Sequence, residues 1–292
     1  QDDKDFDQCL DSLLESVERS KQDNWIPFCV VKLTGIIPFD LLEKVTANKE
    51  LSEQEGVQYQ RGLDRTLKLC QASFDAGIPL LIDAEESWIQ DAIDSICLDM
   101  MKKFNQQKVS IFNTAQMYRH DRLQFIKDLH QQGLRENFHI GLKVVRGAYM
   151  EKERERAAEM GYPSPIQPDK EATDRDYDLA IEYCVENKDR ISLCCGTHNE
   201  ESSMKLVELM KAKSIAPSDP SIYFAQLLGM SNHISFNLSK AGYNVAKYVP
   251  YGPVKEVMPY LIRRADENTS VAGQTGRELS LILAEMERRR SA

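Results

Sequence analysis

Asn244-Val245-Ala246-Lys247-Tyr248-Val249-Pro250-Tyr251-Gly252-Pro253, followed by Pro259-Tyr260-Leu261-Ile262-Arg263-Arg264-Ala265-Asp266-Glu267-Asn268, sets a strand, a sharp stop and a helix in direct succession. The β-type run over 244–249 ends where Pro250 and Gly252 cannot extend it. Beyond the stop, Val254, Val257, Met258, Leu261, Ile262 and Ala265 recur at helical spacing and can bury one face. Tyr260, Arg263, Arg264 and Glu267 share another face. Two guanidiniums beside a tyrosine suit a small carboxylate, because they grip it bidentately and cannot lose their charge. The plainer alternative is a solvated basic face with Arg263 and Glu267 paired. Placement just past the C-terminal end of a strand favours the ligand, since chemistry collects there in barrels.

Outward from this stretch the same alternation recurs. Strands are expected at 28–33, 79–83, 109–113, 140–145, 191–195, 222–225 and 244–249. Helices are expected at 5–20, 39–46, 52–75, 88–104, 120–133, 169–186, 200–213, near 231–241 and at 277–289, with a polar, proline-containing loop at 161–168. Buried-type strands joined by helices demand a parallel sheet covered on both faces, either doubly wound or closed into a (β/α)8 barrel. The strand ends decide between these. Lys32, Asp83, Gln116, Arg146, His198, Gln226 and Tyr248 each close an apolar run. An open sheet shows such residues only near its switch point, whereas a barrel brings every end to one mouth. Singly, each reads as a cap or a satisfied core polar group; in register they predict the barrel. One domain spanning 1–292 is expected, with an N-terminal helical segment over 1–27. Leu279, Ile282, Leu283 and Met286 give the helix at 277–289 an apolar face with which to dock on the body.

A net charge of −9 and a pI near 5.2 argue against a nucleic-acid groove, which needs a basic face. Seven cysteines without CxxC spacing lie mostly in apolar runs, as reduced, buried thiols do. Cys194 and Cys195 adjoin on a strand, so they should face opposite ways rather than act as a pair. No apolar run reaches transmembrane length, and the acidic start is neither signal nor transit peptide. GxGxxG and GxxxxGK[ST] are missing, and the histidines lack metal-site spacing, so no metal is expected. Only His198, just past a strand end, is well placed for ligand contact.

Val31-Lys32-Leu33-Thr34, Asp83-Ala84-Glu85-Glu86, Val145-Arg146-Gly147-Ala148-Tyr149, Thr197-His198-Asn199, Gln226-Leu227-Leu228-Gly229-Met230 and the Pro250-Tyr251-Gly252-Pro253 turn with its double arginine stand in one order. From about Phe28 to about Asn268 the chain resembles the proline dehydrogenase family, and in its monofunctional form, since no aldehyde dehydrogenase domain follows. The resemblance implies a distorted (β/α)8 barrel with FAD at its mouth and the last helix lying over the opening. It implies oxidation of L-proline to Δ1-pyrroline-5-carboxylate, with electrons passed to a quinone. By matching position, Lys32, Arg263 and Arg264 hold the substrate carboxylate, Tyr248, Tyr260 and Leu227 pack round the ring, and Asp83 orients the cations. Gln116, Val145, Arg146, Gly147, Ala148, Thr197, His198, Asn199 and Gln226 line the flavin.

Three departures stand out. Lys143, on the flavin side, replaces an arginine of many bacterial members, and Met150 replaces their tryptophan. Seven strands are expected where the family has eight, which puts the first strand ahead of Gln1. The implied location is the bacterial cytoplasm, peripheral to the inner membrane, or the matrix side of the mitochondrial inner membrane. Hydroxyproline oxidation is the alternative within the family. Outside it stand an aldolase-like barrel using Lys32 as a Schiff-base nucleophile and a non-catalytic amino-acid-binding module.

Overall fold

The strand-forming runs of the sequence become seven parallel strands: β1 (Cys29–Val31), β2 (Leu80–Ile82), β3 (Ile111–Gln116), β4 (Ile140–Val145), β5 (Ile191–Gly196), β6 (Ile222–Leu227) and β7 (Val245–Tyr248). The computed structural model describes residues 3–250, the helical pieces 254–255, 257–258 and 261–262, and residues 274–291. The strands neighbour one another in chain order, each parallel to the next. A doubly wound sheet would reverse that order at a switch point, so the topology is that of a barrel.

The sheet is curled. Phe28, just ahead of β1, lies edge-on to Phe112 of β3 at 5.6 Å and to Tyr223 of β6 at 4.8 Å between ring centroids. A residue beside β1 reaches β6 only across a concave face. That interior is filled by Leu81, Phe112 and Cys194, with Phe28, Val30, Val109, Tyr223 and Ala225 around them. The larger core lies outside the sheet, where the alternate strand residues meet the helices. Cys194 and Cys195 face opposite ways as expected, Cys195 lying 3.1 Å from the Tyr177 hydroxyl. All seven cysteines are free thiols.

Among the described strands β1 and β7 do not pair with each other, so a seam runs between them. Residues 1–27 do not fill it as a strand, because Asp3–Lys21 forms helix α1. It is followed by α2 (Phe39–Thr46), α3 (Glu53–Ala76), α4 (Ser87–Phe104), α5 (Arg122–Glu136), α6 (Met150–Met160), α7 (Lys170–Glu186), α8 (Glu200–Ala212), α9 (Asn232–Lys240) and, last, α10 (Gln274–Arg290). α3 shows why the boundaries were legible: Ser52 and Glu55 form a capping box at its start, and Gly77 ends it in the left-handed region. On α10 the side chains of Leu283 and Met286 are exposed.

Two elements differ from expectation. β3 runs over 111–116 rather than 109–113, because the Asn105 side chain takes the Ser110 and Ile111 N–H groups at 2.9 Å each. Its polar half is tolerated because the Thr114 hydroxyl donates to the Ile82 carbonyl at 2.8 Å and the Asn113 amide to Asp94 at 2.8 Å. α6 was not expected at all. It buries only Glu153 and Ala157 and so shows no apolar period. Polar contacts hold it instead: Glu153 accepts from the Ser87 N–H and hydroxyl at 2.6 Å each, capping α4. Lys152 pairs with Glu86 and Arg156 with Glu43, and both cations stack on the Trp88 ring.

Candidate active site

Parallel strands put all seven C-terminal ends on one rim, and the polar residues found there join into two groups. The first centres on Asp83, which follows β2 and is 8% exposed. It accepts from Lys143 Nζ at 2.6 Å. Lys143 points inward because its β4 neighbours Leu142 and Val144 point outward into the helix-covered core. Its Nζ also stands 5.4 Å from the centroid of Tyr248, the last residue of β7. Leu227 pairs with Tyr248 in the ladder and lies half-buried beside it.

Lys32, just past β1, is exposed in the mouth and donates to the Tyr149 hydroxyl at 2.9 Å. Burial among the surrounding loops would pull its pKa down, but the charges of Asp83, Tyr149 and Glu85 and the bond to Tyr149 outweigh this. The net effect holds it above the ordinary lysine value, as an ammonium. Glu85 accepts from the Thr34 N–H at 3.2 Å and hydroxyl at 2.7 Å. Burial raises its pKa, partly offset by the Lys32 charge and the Thr34 bonds.

A carboxyl whose pKa is raised on folding contributes stability below its ordinary value of 4.5 and loses it as pH rises through the folded value. The stability of the wild type relative to Glu85→Gln should therefore fall as pH climbs from about 4 to about 7. Paired thermal melts across that range check this, and a constant difference would contradict it.

The second group knits β4, β5 and β6 together. Arg146 donates through Nε to Asp174 at 2.6 Å, and through its terminal nitrogens to the Thr197 hydroxyl at 2.8 Å and the Ser202 hydroxyl at 3.0 Å. Its plane lies 4.3 Å from the Tyr177 ring centroid. Gln116 donates to the Glu85 carbonyl at 2.7 Å and accepts from the Ala148 N–H at 3.3 Å. Gln226 donates to the Thr197 carbonyl at 3.2 Å and accepts from the Ser235 hydroxyl at 2.8 Å. Asn199 caps α8, and His198 Nδ1 meets the Ser231 hydroxyl at 3.0 Å. Gly147 and Ala148 are exposed at the rim, with Val145 half-buried behind them.

The mouth thus gathers Lys32, Asp83, Lys143 and Tyr248 on one side and the Gln116, Arg146, Thr197 and Gln226 network on the other. Lys143, which the family resemblance puts on the flavin side, bonds within the first group in this structure. Tyr260, Arg263 and Arg264 lie outside the described residues, and so does the question of a helix over the mouth. Sequence reasoning passed over Tyr149 and Glu85 as site residues. Both stand in the quoted motifs, but neither was given a role there.

The proline dehydrogenase family description matches residues 1–277. The Caenorhabditis elegans protein named proline dehydrogenase 1, mitochondrial, is 41% identical over 249 residues, covering 84% of this chain and 40% of that one. The Xenopus laevis protein named hydroxyproline dehydrogenase is 35% identical over 280 residues, covering 94% of this chain and 59% of that one. The chain therefore spans well under two thirds of the length of either relative. Among solved structures, proline utilization A (PutA) from Bdellovibrio bacteriovorus, inactivated by N-propargylglycine, superposes with a TM-score of 0.80. That likeness covers 92% of this chain and 29% of that one at 20% identity, and it bears on the fold alone. With the family description covering nearly the whole sequence and two-fifths of the aligned residues identical in the nematode relative, the chain belongs to the proline dehydrogenase family.

Proposed function

We propose that this chain oxidises L-proline to Δ1-pyrroline-5-carboxylate with FAD bound at the mouth, passing electrons to a quinone. The observation that carries this, beyond family membership, is a lysine held charged in the same mouth as an aromatic ring. Lys32 offers an ammonium to a carboxylate, while Tyr248 and Leu227 offer apolar surface to a small saturated ring. An aldolase would instead need Lys32 as a neutral amine, which the carboxylates around it disfavour. Arg263 and Arg264 complete the carboxylate clamp in this reading, and Tyr260 completes the packing round the ring.

The donor set suits a flat ring with a polar edge. Gly147 and Ala148 present backbone at the rim without bulk, and Arg146, His198 and Asn199 flank it half-buried. Gln116 and Gln226 each use one donor and one acceptor in the bonds given above, leaving capacity of both kinds. FAD, when bound, supplies the hydride acceptor. The protein's part is positional: the cations fix the carboxylate, Tyr248 and Leu227 fix the ring, and Asp83 holds the charges in place.

The named nematode relative is mitochondrial, and for a eukaryotic chain we place the activity on the matrix side of the inner membrane; for a bacterial chain, in the cytoplasm, peripheral to the membrane. Among the described residues no helix is long and apolar enough to cross a membrane. Anaerobic addition of L-proline to the purified protein should bleach the flavin absorption band. A protein without that band, or bleached by trans-4-hydroxy-L-proline but not by proline, overturns the proposal.

A further inference from the structure

We propose that Glu85 is a positioning residue that clamps the turn carrying Lys32 and ties it to the flavin side of the mouth, so that the cation for the substrate carboxylate stands at a fixed spacing from the cofactor; this rests on the function proposed above. Lys32 leads into a single 3-10 turn, Leu33–Gly35, and its carbonyl accepts from the Gly35 N–H at 2.9 Å. A turn of three residues has little stability of its own. Leu33 and Ile36 sink into the helix-covered core and fix its depth. Glu85 takes Thr34 by two bonds, one carboxylate oxygen accepting from the N–H at 3.2 Å and the other from the hydroxyl at 2.7 Å. The turn cannot rotate without breaking one of them.

Glu85 is itself 5% exposed and is fixed through its main chain. Its N–H donates to the Gln90 side chain at 2.8 Å, and its carbonyl accepts from Gln116 at 2.7 Å. Gln116 in turn accepts from the Ala148 N–H at 3.3 Å, and Ala148 is followed by Tyr149, whose hydroxyl accepts from the Lys32 ammonium at 2.9 Å. From Lys32 the bonds thus run through Thr34, Glu85, Gln116 and Tyr149 and return to Lys32, closing a ring across the ends of β1, β2, β3 and β4. Gln116 and Ala148 stand where the flavin is proposed to lie, so Glu85 is the joint between that side and the carboxylate side. Its contribution is geometric rather than electrostatic. A second carboxylate near a carboxylate substrate repels it, whereas a side chain that keeps Lys32 in register preserves the approach of substrate to flavin. An amide in its place would accept from the Thr34 N–H and donate to the hydroxyl, keeping the clamp without the charge.

The test compares kcat/KM for L-proline, counted per bound flavin, in the wild type, Glu85→Ala, Glu85→Gln, Lys32→Met and the double variant of Lys32→Met with Glu85→Ala. Glu85→Ala should lower kcat/KM roughly ten- to a hundredfold, the scale of a misplacement of about 1 Å. Glu85→Gln should restore most of that loss, and the double variant should fall no further than Lys32→Met alone. Counting per flavin removes the effect of a smaller folded fraction, which is all that a merely structural role would change. An unchanged kcat/KM in Glu85→Ala, a Glu85→Gln as impaired as Glu85→Ala, or effects that multiply in the double variant each overturns the proposal. If Glu85→Ala does not fold, Thr34→Val against Thr34→Ser makes the same comparison from the other end of the bond, with a loss expected in the first alone and equal behaviour refuting the clamp. Hydrogen exchange on the purified protein without substrate reads the clamp without turnover. The segment 32–36 should exchange faster in Glu85→Ala, or in Thr34→Val in its stead, than in the wild type, and equal rates refute it. A wild type that does not oxidise proline would refute the proposed function, and the exchange rates would still decide the clamp.

Discussion

Replacing Lys32 by methionine should raise the KM for L-proline by roughly thirty- to several-thousandfold while leaving the melting temperature nearly unchanged. The magnitude corresponds to about 2–5 kcal/mol for losing one partner of a desolvated, charge-assisted contact with the substrate carboxylate. The separation from stability follows from position. Lys32 is exposed at the rim, and among the described residues its side chain donates a hydrogen bond to Tyr149. Steady-state kinetics beside a thermal melt checks both halves. If KM stays within a few-fold of wild type, the carboxylate is bound elsewhere; if the protein melts far lower, Lys32 is a structural cation. Asp83→Ala should behave differently, because it strands the largely desolvated Lys143, 13% exposed, and so lowers stability and affinity together.

The second large effect is expected at Gly147, whose φ of +137° side chains rarely adopt. A Cβ there would stand 2.5 Å from two atoms of the Tyr118 ring and 2.7 Å from a third. Tyr118 cannot retreat: its N–H donates to the Arg146 carbonyl at 2.6 Å, and its carbonyl accepts from the Gln167 N–H at 2.7 Å. Backbone strain of about 1–3 kcal/mol and overpacking of about 1–3 kcal/mol sum to roughly 2–6 kcal/mol for Gly147→Ala. For a chain of this size that is a fall in Tm of roughly 4–24 °C. Gly161→Ala is the control, since Gly161 also has positive φ, +73°, but nothing within 4 Å of its would-be Cβ. Calorimetry on the two variants isolates the ring contact, and equal losses would show that Tyr118 gives way.

Much of the fold was legible because the strands change period abruptly and end in residues that apolar runs do not otherwise carry. Lys32, Asp83, Arg146 and Gln226 could be placed at one rim by counting, since parallel strands joined by helices allow no other arrangement of their ends. What those residues do to one another was not legible. Lys143 meets Asp83 across 60 positions of sequence, and nothing local distinguishes that lysine from one facing a cofactor. Nor did anything local show that Arg146 bonds Asp174, Thr197 and Ser202 through Nε and both terminal nitrogens. The alternation rule also failed where side chains replaced backbone partners. Asn105 moves the start of β3 by standing in for a strand, and α6 forms without an apolar stripe because Glu153, Lys152 and Arg156 anchor it from the side.

That last attachment sets α6 apart in how it meets its solution. Helices α1 to α5 and α7 to α9 press apolar faces on the core, and dissolved ions barely alter such contacts. α6 buries a single apolar side chain, Ala157, and besides the buried Glu153 it hangs on two ion pairs, in which Lys152 is 59% exposed and Arg156 and Glu43 are 31% and 36% exposed. Charges this open are screened within about 8 Å at physiological ionic strength. Tyr149, the residue that meets Lys32, sits at the first turn of this same helix. One wall of the mouth therefore leans on a helix whose surface ion pairs the salt content of the compartment can weaken.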